Sequence, residues 1–348
     1  MDSAAPRPPL RWAIVGPGRI AHRFAEAVQG LEGHGLEAVV ARDASRGDAF
    51  AARWPDRSGR RAQRVGKLDA LLQTRAVDAV YIATPHPQHH AFARRCLEAG
   101  MPVLCEKPMT MCARDTVDLV ATARRHRAFL MEAVWTRFLP VYRDVEAWLR
   151  EGRIGAVRAL RSSFCFAVPF DPASRLFDPQ LGGGALLDIG VYNLHVTRWA
   201  LQRACGGVPT LRSWHASGTL AASGVEQRAA AQFDFEPATG ERLHAQFVCA
   251  FDGRADNRFV IEGERGLIEI ESGFWQATRA RLQVDGAEPE RAERPFAING
   301  FEGQIEEVRR CLAAGAVESP QMPHDESIAV AEWVDRLRGA VGAAGPQG

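Results

Sequence analysis

A glycine-rich turn near the amino terminus constrains the fold of this chain more than any other feature of its sequence. An apolar run ends at Gly16, and the pattern G-x-G-x-x-A (residues 16–21) leads directly into a helical pattern. In that context Gly16 permits a tight turn, and Gly18 lets a pyrophosphate approach the backbone. The first amides of the helix, at Arg19 and Ile20, complete an anion site. The sequence therefore predicts a dinucleotide-binding Rossmann unit.

The segment after the second predicted strand bears on which dinucleotide is bound. NAD-binding units carry an acid about 20 residues beyond the glycines, which bonds the ribose; here Ala41 stands at that position. Arg42, Ser45 and Arg46 follow, and two guanidinium groups with a hydroxyl suit a 2′-phosphate. NADP is therefore favoured over NAD. Two alternatives remain open: Asp43 as a ribose acceptor, and the arginines as part of a solvated loop.

The pattern of strands and helices changes near residue 134, and 348 residues exceed what one core usually holds. Residues 1–133 alternate short apolar runs with helical patterns, which predicts a Rossmann domain with a parallel sheet. Residues 134–348 carry many strand-like runs, which predicts an α/β domain with a large, mostly antiparallel open sheet. We predict strands at 12–15, 37–41, 77–83, 102–105, 129–132, 157–166, 211–220, 229–235, 243–251, 259–262, 267–270 and 280–284, and helices at 20–31, 48–54, 88–99, 113–126, 141–151, 304–313 and 326–338.

Composition and charge exclude several classes of protein. The net charge is +1, which gives no positive field to hold a nucleic acid. No stretch reaches the roughly 18 apolar residues of a membrane span, and residues 1–10 lack the apolar core of a signal peptide. We therefore expect a cytoplasmic protein with no membrane partner. The seven cysteines stand singly, which favours reduced thiols and no zinc site.

Lys107 stands out because the chain has only two lysines, the other being Lys67, among 43 basic residues. It follows the predicted strand at 102–105, and open α/β sheets bind their ligands at the carboxyl ends of strands. An ammonium is compact, and its pKa can move in a way that the pKa of arginine cannot. Lys107 is thus a candidate catalytic residue, with a solvent-facing lysine as the alternative.

A second group of candidates follows the three glycines at 182–184, after which a helix should begin. Asp188 and Tyr192 are four residues apart on that helix, so both side chains fall on one face. The other two tyrosines, Tyr81 and Tyr142, lie in patterns typical of core packing. Tyr192 with Asp188 nearby is therefore a candidate catalytic group, against the alternative of a packed helix tyrosine.

These motifs together resemble the glucose-fructose oxidoreductase/inositol dehydrogenase (Gfo/Idh/MocA) family over almost the whole chain, and most closely its dihydrodiol dehydrogenase and NADP-dependent D-xylose dehydrogenase branch. The resemblance rests on the glycine turn and on the segments 41–46, 86–89, 105–108, 132–138, 186–192 and 318–320. It implies a Rossmann domain followed by an α/β domain with a large open sheet, and it implies that the exposed face of this sheet forms a homodimer or a homotetramer.

The resemblance also assigns roles to single residues. Lys107 and Tyr192 match the catalytic pair, and Asp188 matches a carboxylate that contacts substrate. The stretch 165–178 has no clear match. The residues that match the substrate pocket are Trp135, Arg158 and Phe164. Besides the glycine turn and the arginine segment, the residues expected at the cofactor are Thr84, Pro85, His86, His89, Glu106, Lys107 and Arg137.

Histidines near the fourth strand at first sight suggest a metal site. His86, His89 and His90 stand close in sequence, but a ligand set would need further groups at suitable spacing. We therefore expect no metal, and expect these rings to bond or pack beside the cofactor. His195 is expected to have a structural role in its helix.

The function implied is hydride transfer between NADP and a carbinol carbon of a sugar, such as an aldose, or of a trans-dihydrodiol, with Tyr192 handling the hydroxyl proton. An unperturbed tyrosine has a pKa near 10, so using its anion at pH 7 costs roughly 4 kcal/mol. A lysine cation within reach recovers about a pKa unit or more, which is the reason to pair Lys107 with Tyr192. The alternatives are a non-catalytic NADP-binding sensor and a sugar oxidoreductase that retains NADP through an internal cycle.

Overall fold

The computed structural model describes residues 8–56, 58–238 and 241–343, which divide into two compact units. The first unit contains residues 8–110, 114–133 and 297–324, and the second contains 111–113, 134–296 and 325–343. The change of pattern near residue 134 coincides with a boundary between the units. Residues 297–324 differ from the sequence expectation, because they pack with the first unit and not with the second.

A parallel sheet of six strands lies at the centre of the first unit, as far as the described residues show. The strand order is β3-β2-β1-β4-β5-β6, so the direction of winding reverses between β1 and β4. Open α/β sheets bind ligands at such a reversal. The strands are β1 (Leu10–Val15), β2 (His34–Val40), β3 (Gln63–Val65), β4 (Ala79–Ile82), β5 (Val103–Glu106) and β6 (Leu130–Ala133).

The second unit is built on a sheet of eight described strands, ordered β14-β13-β12-β11-β7-β10-β9-β8. Neighbouring strands are antiparallel except for the parallel pair β7 and β10. The predicted mostly antiparallel sheet is therefore confirmed. The strands are β7 (Val157–Cys165), β8 (Thr210–Leu220), β9 (Glu226–Glu236), β10 (Leu243–Ala250), β11 (Phe259–Gly263), β12 (Gly266–Ile270), β13 (Arg279–Val284) and β14 (Glu290–Glu293).

Helices flank these sheets with the apolar spacing that the sequence predicts. In the first helix Ala21, Phe24, Ala25 and Val28 are buried, which is the i, i+3, i+4, i+7 stripe of a helix that packs on a sheet. Within the described ranges, no helix is both long and apolar enough to cross a membrane. The helices are α1 (Arg19–Gly30), α2 (Ala44–Arg53), α3 (Leu68–Thr74), α4 (His89–Glu98), α5 (Ala113–His126), α6 (Pro140–Arg150), α7 (Val191–Cys205), α8 (Glu302–Ala313) and α9 (His324–Ala340).

Candidate active site

The carboxyl ends of four parallel strands bring most of the predicted cofactor residues of the first unit to one edge of its sheet. Val15 at the end of β1 pairs with Val40 of β2 and with Ile82 of β4, and Ile82 pairs in turn with Cys105 of β5. The segments that follow these strands therefore start side by side. The last residue of β5 is Glu106, and the segments contain Gly16, Gly18, Arg42, Ser45, Arg46, Thr84, Pro85, His86 and Lys107.

The two glycines of the first turn are needed for different reasons. Gly16 has a φ of 91°, and a Cβ on it would lie 2.9 Å from the Thr84 methyl group and 3.1 Å from the Ala83 oxygen. Gly18 has a φ of −88°, and its Cβ would make only an ordinary contact of 3.7 Å with Ala83. The fold therefore requires glycine at position 16 but not at position 18. No described side chain caps α1, so its first amides and the bare Gly18 backbone fit a pyrophosphate.

The arginine segment lies at the start of a helix, whereas the sequence placed the start of this helix at residue 48. Helix α2 begins at Ala44, four residues earlier than expected, and the Asp43 carboxylate accepts a hydrogen bond from the Arg46 amide at 3.0 Å. Asp43 is thus the N-cap of α2. Its carboxylate, which was the alternative ribose acceptor, is already engaged in this hydrogen bond. Arg42, Ser45 and Arg46 are exposed, and within the described ranges neither guanidinium has an ion-pair partner.

Glu106 and Lys107 stand at the end of β5 in contrasting surroundings. Glu106 is buried and accepts a hydrogen bond from the Tyr81 hydroxyl at 2.5 Å. Burial raises the pKa of Glu106 to about 7, although the Tyr81 bond and the Lys107 charge act in the opposite direction. Lys107 is half-buried and precedes a cis peptide bond to Pro108. Lys107 thus lies at the strand end where the sequence predicted it.

His89 joins the β4 and β5 segments from inside the first unit. It is fully buried, with Nε2 at 2.8 Å from the Thr84 oxygen and Nδ1 at 2.9 Å from the Pro108 oxygen. Burial lowers the pKa of this imidazole. His89 is buried between these two segments, so its ring has no exposed surface for the direct cofactor contact that was expected. His90 bonds Asp118 at 2.8 Å, and no cluster of metal-ligating side chains occurs among the residues described.

The candidate catalytic groups of the second unit lie on an irregular helix. Leu186–Gly190 form one π-helical turn that continues directly into α7, which begins at Val191. Asp188 lies in the π turn and Tyr192 in the first turn of α7, and both are largely buried. π turns occur often at functional sites because they shift the direction of the side chains that follow. The sequence predicted the helix but not its irregular start.

The three glycines before this helix serve the packing of the chain itself. Gly182 has a φ of 72°, and the amides of Gly183 and Gly184 each donate to the preceding loop, to the oxygens of Asp178 and Leu176 at 2.9 Å. A Cβ on Gly184, where φ is 117°, would collide with the buried carboxylate of Glu226. The glycines therefore fix the loop against the helix start.

Glu226 caps the same helix start from strand β9. Its carboxylate is fully buried and accepts a hydrogen bond from the Leu186 amide at 3.1 Å. The Arg338 guanidinium of α9 lies 3.5 Å from the other carboxylate oxygen. Burial raises the pKa of Glu226, and the Arg338 charge opposes that rise. A distant strand thus supplies the cap that no local side chain provides.

Aromatic side chains surround the phenol of Tyr192 within the second unit. The Trp135 indole nitrogen donates a hydrogen bond to the Tyr192 hydroxyl oxygen at 3.3 Å. The ring of Phe164 lies 5.8 Å from that of Tyr192 and stacks on Trp275 at 3.4 Å between centroids. Phe296 lies 6.3 Å from Trp135. Trp135 and Phe164, both predicted at the substrate pocket, are therefore gathered around Tyr192.

Asp188 has a charged partner from the loop that the sequence left unassigned. The Arg175 Nη1 donates to Asp188 Oδ1 at 3.0 Å. The Arg175 side chain is 49% exposed, whereas that of Asp188 is 8% exposed. This pair sets a hydrogen-bond donor and an acceptor one helical turn before Tyr192.

Two predicted site residues of the second unit lie in other surroundings. Arg137 is buried and bonds Glu326 at 3.1 Å, and burial lowers its pKa to about 10. Its guanidinium thus compensates a buried carboxylate instead of standing open to a cofactor. Arg158 is the second residue of β7, six residues from Phe164, and pairs with Glu241 and Glu264. At about 3.3 Å per strand residue, the structure does not bring Arg158 to the aromatic group. His195 is fully buried in α7.

Comparison with known families decides what kind of protein this is. Residues 10–134 match the family described as an oxidoreductase family with an NAD-binding Rossmann fold, and residues 142–269 match the GFO/IDH/MocA C-terminal domain. The chain belongs to the Gfo/Idh/MocA oxidoreductase family. The resemblance and the α/β fold expected from the sequence are thereby confirmed.

Relatives of this Gfo/Idh/MocA chain match it over nearly its full length. The trans-1,2-dihydrobenzene-1,2-diol dehydrogenase of Danio rerio is 34% identical over 342 residues, which cover 96% of this chain and 97% of the relative. The structure is similar to that of an aldose-aldose oxidoreductase from Caulobacter crescentus complexed with glycerol, with a TM-score of 0.81, 25% identity and coverage of 95% and 97%. It is also similar to a 3-ketoreductase from Actinomadura kijaniata in complex with NADP and TDP-benzene, with a TM-score of 0.78, 25% identity and coverage of 96% and 98%.

Some residues of the candidate site carry no clear signal in the sequence. Arg175 is one arginine among 41, in a stretch without a secondary-structure pattern. Trp275 and Phe296 come from a 3₁₀ turn and a coil segment far along the chain. Glu226 begins an alternating strand, and an acid at a buried strand position is the one sequence sign that a partner must exist.

Proposed function

We propose that this chain is an NADP-dependent dehydrogenase that acts on a carbinol carbon of an aldose or of a trans-dihydrodiol. The relatives described above carry these two substrate classes in their names. The observation that carries the proposal is the environment of Tyr192. A phenol that accepts an indole hydrogen bond, inside an aromatic wall and one turn beyond a carboxylate, suits proton exchange with a hydroxyl on a carbon ring.

In this proposal Tyr192 removes the hydroxyl proton during oxidation and returns it during reduction. A nicotinamide cofactor, when bound, would supply the hydride chemistry for the same carbon. Lys107 supplies a positive charge that favours the phenolate, and the Trp135 indole supports the same form by donating to its oxygen. Asp188 orients the substrate through a second hydroxyl. Proton transfer of this kind is worth about 100-fold to 10,000-fold in rate.

NADP is proposed over NAD because of the residues after β2. The exposed Arg42 and Arg46, unpaired within the described ranges, leave two guanidinium groups and the Ser45 hydroxyl beside the start of α2. Asp43, which could otherwise bond a ribose, is engaged as a helix cap. A 2′-phosphate would gain charge-assisted hydrogen bonds from this group of residues.

We also propose a homodimer or homotetramer formed through the sheet of the second unit. Strand β8 is an edge strand of 11 residues, largely exposed along its length. Its exposed side chains include Trp214 at 37% and Leu220 at 39%. A long edge strand with exposed apolar side chains favours pairing with another chain.

The test is a panel of aldoses and trans-dihydrodiols, each incubated with the purified protein and with NADP⁺ or NAD⁺ separately. We expect NADPH absorbance with at least one class, and a preference for NADP⁺ of about ten-fold or more. Substitution of Arg42 and Arg46 by Ala should remove that preference. Arg53→Ala, at the far end of the same helix, is the matched control and should leave it unchanged.

Three outcomes contradict parts of this proposal. No reduction of either cofactor by any substrate favours a non-catalytic NADP-binding protein. A preference of about ten-fold for NAD⁺ removes the assignment of Arg42 and Arg46 to a phosphate. Cofactor that stays bound and is reduced and reoxidised by successive sugars indicates an internal cycle in place of dehydrogenase turnover.

A further inference from the structure

The hydrogen bond between Arg175 and Asp188 uses only one of the donors of the arginine side chain. Arginine presents five N–H donors in a fixed plane, and among the described residues Asp188 is the one hydrogen-bond partner of this guanidinium, through a single bond of 3.0 Å. About half of the Arg175 side chain is exposed. The remaining donors therefore face a space that a ligand can enter.

The backbone around Arg175 is held more firmly than a free loop. The oxygen of Leu176, the next residue, accepts from the Gly184 amide at 2.9 Å. Phe177 is 2% exposed, and its ring packs 5.7 Å from that of Phe251. Arg175 is thus carried by an anchored segment, so the position of its guanidinium beside Asp188 follows from the fold.

We propose that Arg175 is a specificity-determining residue, which together with Asp188 recognises the hydroxyl next to the reacting carbinol of a vicinal diol. A hydroxyl both donates and accepts one hydrogen bond, and this pair offers a carboxylate acceptor and a guanidinium donor 3.0 Å apart. Asp188 precedes Tyr192 by one helical turn, which suits neighbouring carbons of one substrate. The inference rests on the proposed function, in which Tyr192 serves the reacting hydroxyl.

The charge of the pair disfavours substrates that carry a carboxylate or a phosphate. A lone guanidinium would favour a carboxylate or phosphate substituent, but here the Asp188 carboxylate already neutralises Arg175 and would repel a second anion. A neutral diol adds no charge to the pair. A sugar acid should therefore be a poorer substrate than the corresponding neutral aldose.

The experiment compares substrates that differ by the second hydroxyl. The pairs are D-glucose with 2-deoxy-D-glucose, and trans-1,2-cyclohexanediol with cyclohexanol, each with the NADP-loaded enzyme. We expect Arg175→Met to lower kcat/KM for the diol member by about ten-fold or more, the effect of losing a charged hydrogen bond. The deoxy member should change by less than about two-fold, and Arg175→Lys should restore part of the loss because it keeps one charged donor.

The control is Arg279→Met, which removes another exposed arginine of the second unit that pairs with one carboxylate, Glu271. It should leave the diol preference unchanged. Equal losses on both members of a pair, with the preference retained, would assign Arg175 a structural role and overturn the inference. A higher kcat/KM for D-glucuronate than for D-glucose would also overturn it.

A binding measurement separates failure of the inference from failure of the proposed function. If the wild-type enzyme oxidises no substrate, the proposed function fails, and calorimetric titration of the same pairs onto the NADP-loaded protein gives the second readout. A diol preference in the wild type that is absent in Arg175→Met then still supports recognition of the second hydroxyl. The same affinities in both proteins contradict it.

Discussion

The phenol of Tyr192 accepts a hydrogen bond from the Trp135 indole, and that bond bears on the pH at which the enzyme works. A donor to the phenol oxygen stabilises the negative form more than the neutral form. Oxidation requires that form as the proton acceptor, so its rate should rise toward alkaline pH.

Trp135→Phe tests the contribution of the indole. The variant keeps an aromatic ring but lacks the donor, so the apparent pKa of the rise in kcat/KM with pH should move up. Steady-state kinetics from pH 6 to pH 10 measures this shift. Trp148→Phe, which removes an indole that donates to Glu290 elsewhere in the second unit, is the control and should leave the profile unchanged. An unshifted profile in Trp135→Phe contradicts the role.

Glu106 links ionisation to folding within the first unit. Its pKa of about 7 in the folded state lies above the value of 4.5 that is usual for the side chain. The folded state therefore binds this proton more tightly than the unfolded state does. Its contribution to stability is complete below about pH 4.5 and is lost as pH rises through 7.

Glu106→Gln should flatten that part of the pH dependence. The difference of 2.5 pKa units corresponds to about 3 kcal/mol between the two ends of the window. Urea unfolding at pH 5 and at pH 7.5 should show a wild-type loss that the variant lacks. Glu98→Gln, on an exposed helix position, serves as the control. If the free energy of unfolding changes with pH by the same amount in Glu106→Gln and in the wild type, ionisation of Glu106 does not destabilise the folded state.

At the scale of elements, the strand ends and helix starts of the first unit follow from the sequence better than those of the second. Continuous apolar runs and the glycine turn predicted β1, β4 and β5 and the residues that follow them. The short strands β3 and β14 were missed because Gln63–Val65 and Glu290–Glu293 carry polar residues that only their neighbours in the sheet make extended. The start of α2 was missed because Asp43, which the sequence offered only as an alternative ribose acceptor, was not considered as a helix cap.

The irregular helix that carries Asp188 could not be read from local sequence. Its π turn and its cap depend on Glu226, which lies 40 residues from Leu186 in sequence. The glycines at 182–184 indicated a special backbone, but the partners that require them lie on a loop and on another strand. The periodicity of apolar residues reflects the local conformation of the chain. The start of this helix is instead held by contacts with residues that are distant in sequence.

The two glycines of the first turn offer a matched test of the dinucleotide site. Gly18→Ala should leave the unfolding temperature nearly unchanged, because the added Cβ has room, and should lower NADP affinity at least about ten-fold by blocking the phosphate. Gly16→Ala should lower stability by about 1–3 kcal/mol, since its φ of 91° is strained for alanine. Thermal unfolding and cofactor titration measure both. Unchanged affinity in Gly18→Ala contradicts the site.

At the scale of the whole molecule, the chain leaves the first unit at residue 134 and returns to it at 297–324. The pattern of strands in the sequence also changes near residue 134. The sequence did not predict the return, because α8 is a helix whose amphipathic pattern does not specify which sheet it packs against. The long edge strand β8, by contrast, was predicted within one residue of its start.

Trp214→Arg tests the proposed assembly through β8. A charge at this exposed edge position should weaken pairing between copies, and the subunit should keep its fold because the residue is 37% exposed. Light scattering coupled to gel filtration should show a smaller species, with unchanged circular dichroism. Val117→Arg, which alters an exposed apolar residue of the first unit, is the control. A wild-type protein that is already monomeric contradicts the proposal.

The most direct test of the central claim is a double-mutant cycle on kcat/KM with Lys107→Met, Tyr192→Phe and both together. Each single variant should lose about 100-fold or more, since each removes part of one proton-transfer device. If the ammonium acts through the phenol, the kcat/KM of the double variant should be little lower than that of the less active single variant. Losses that multiply would show that the two residues act independently, and would contradict the claim that they form one catalytic pair.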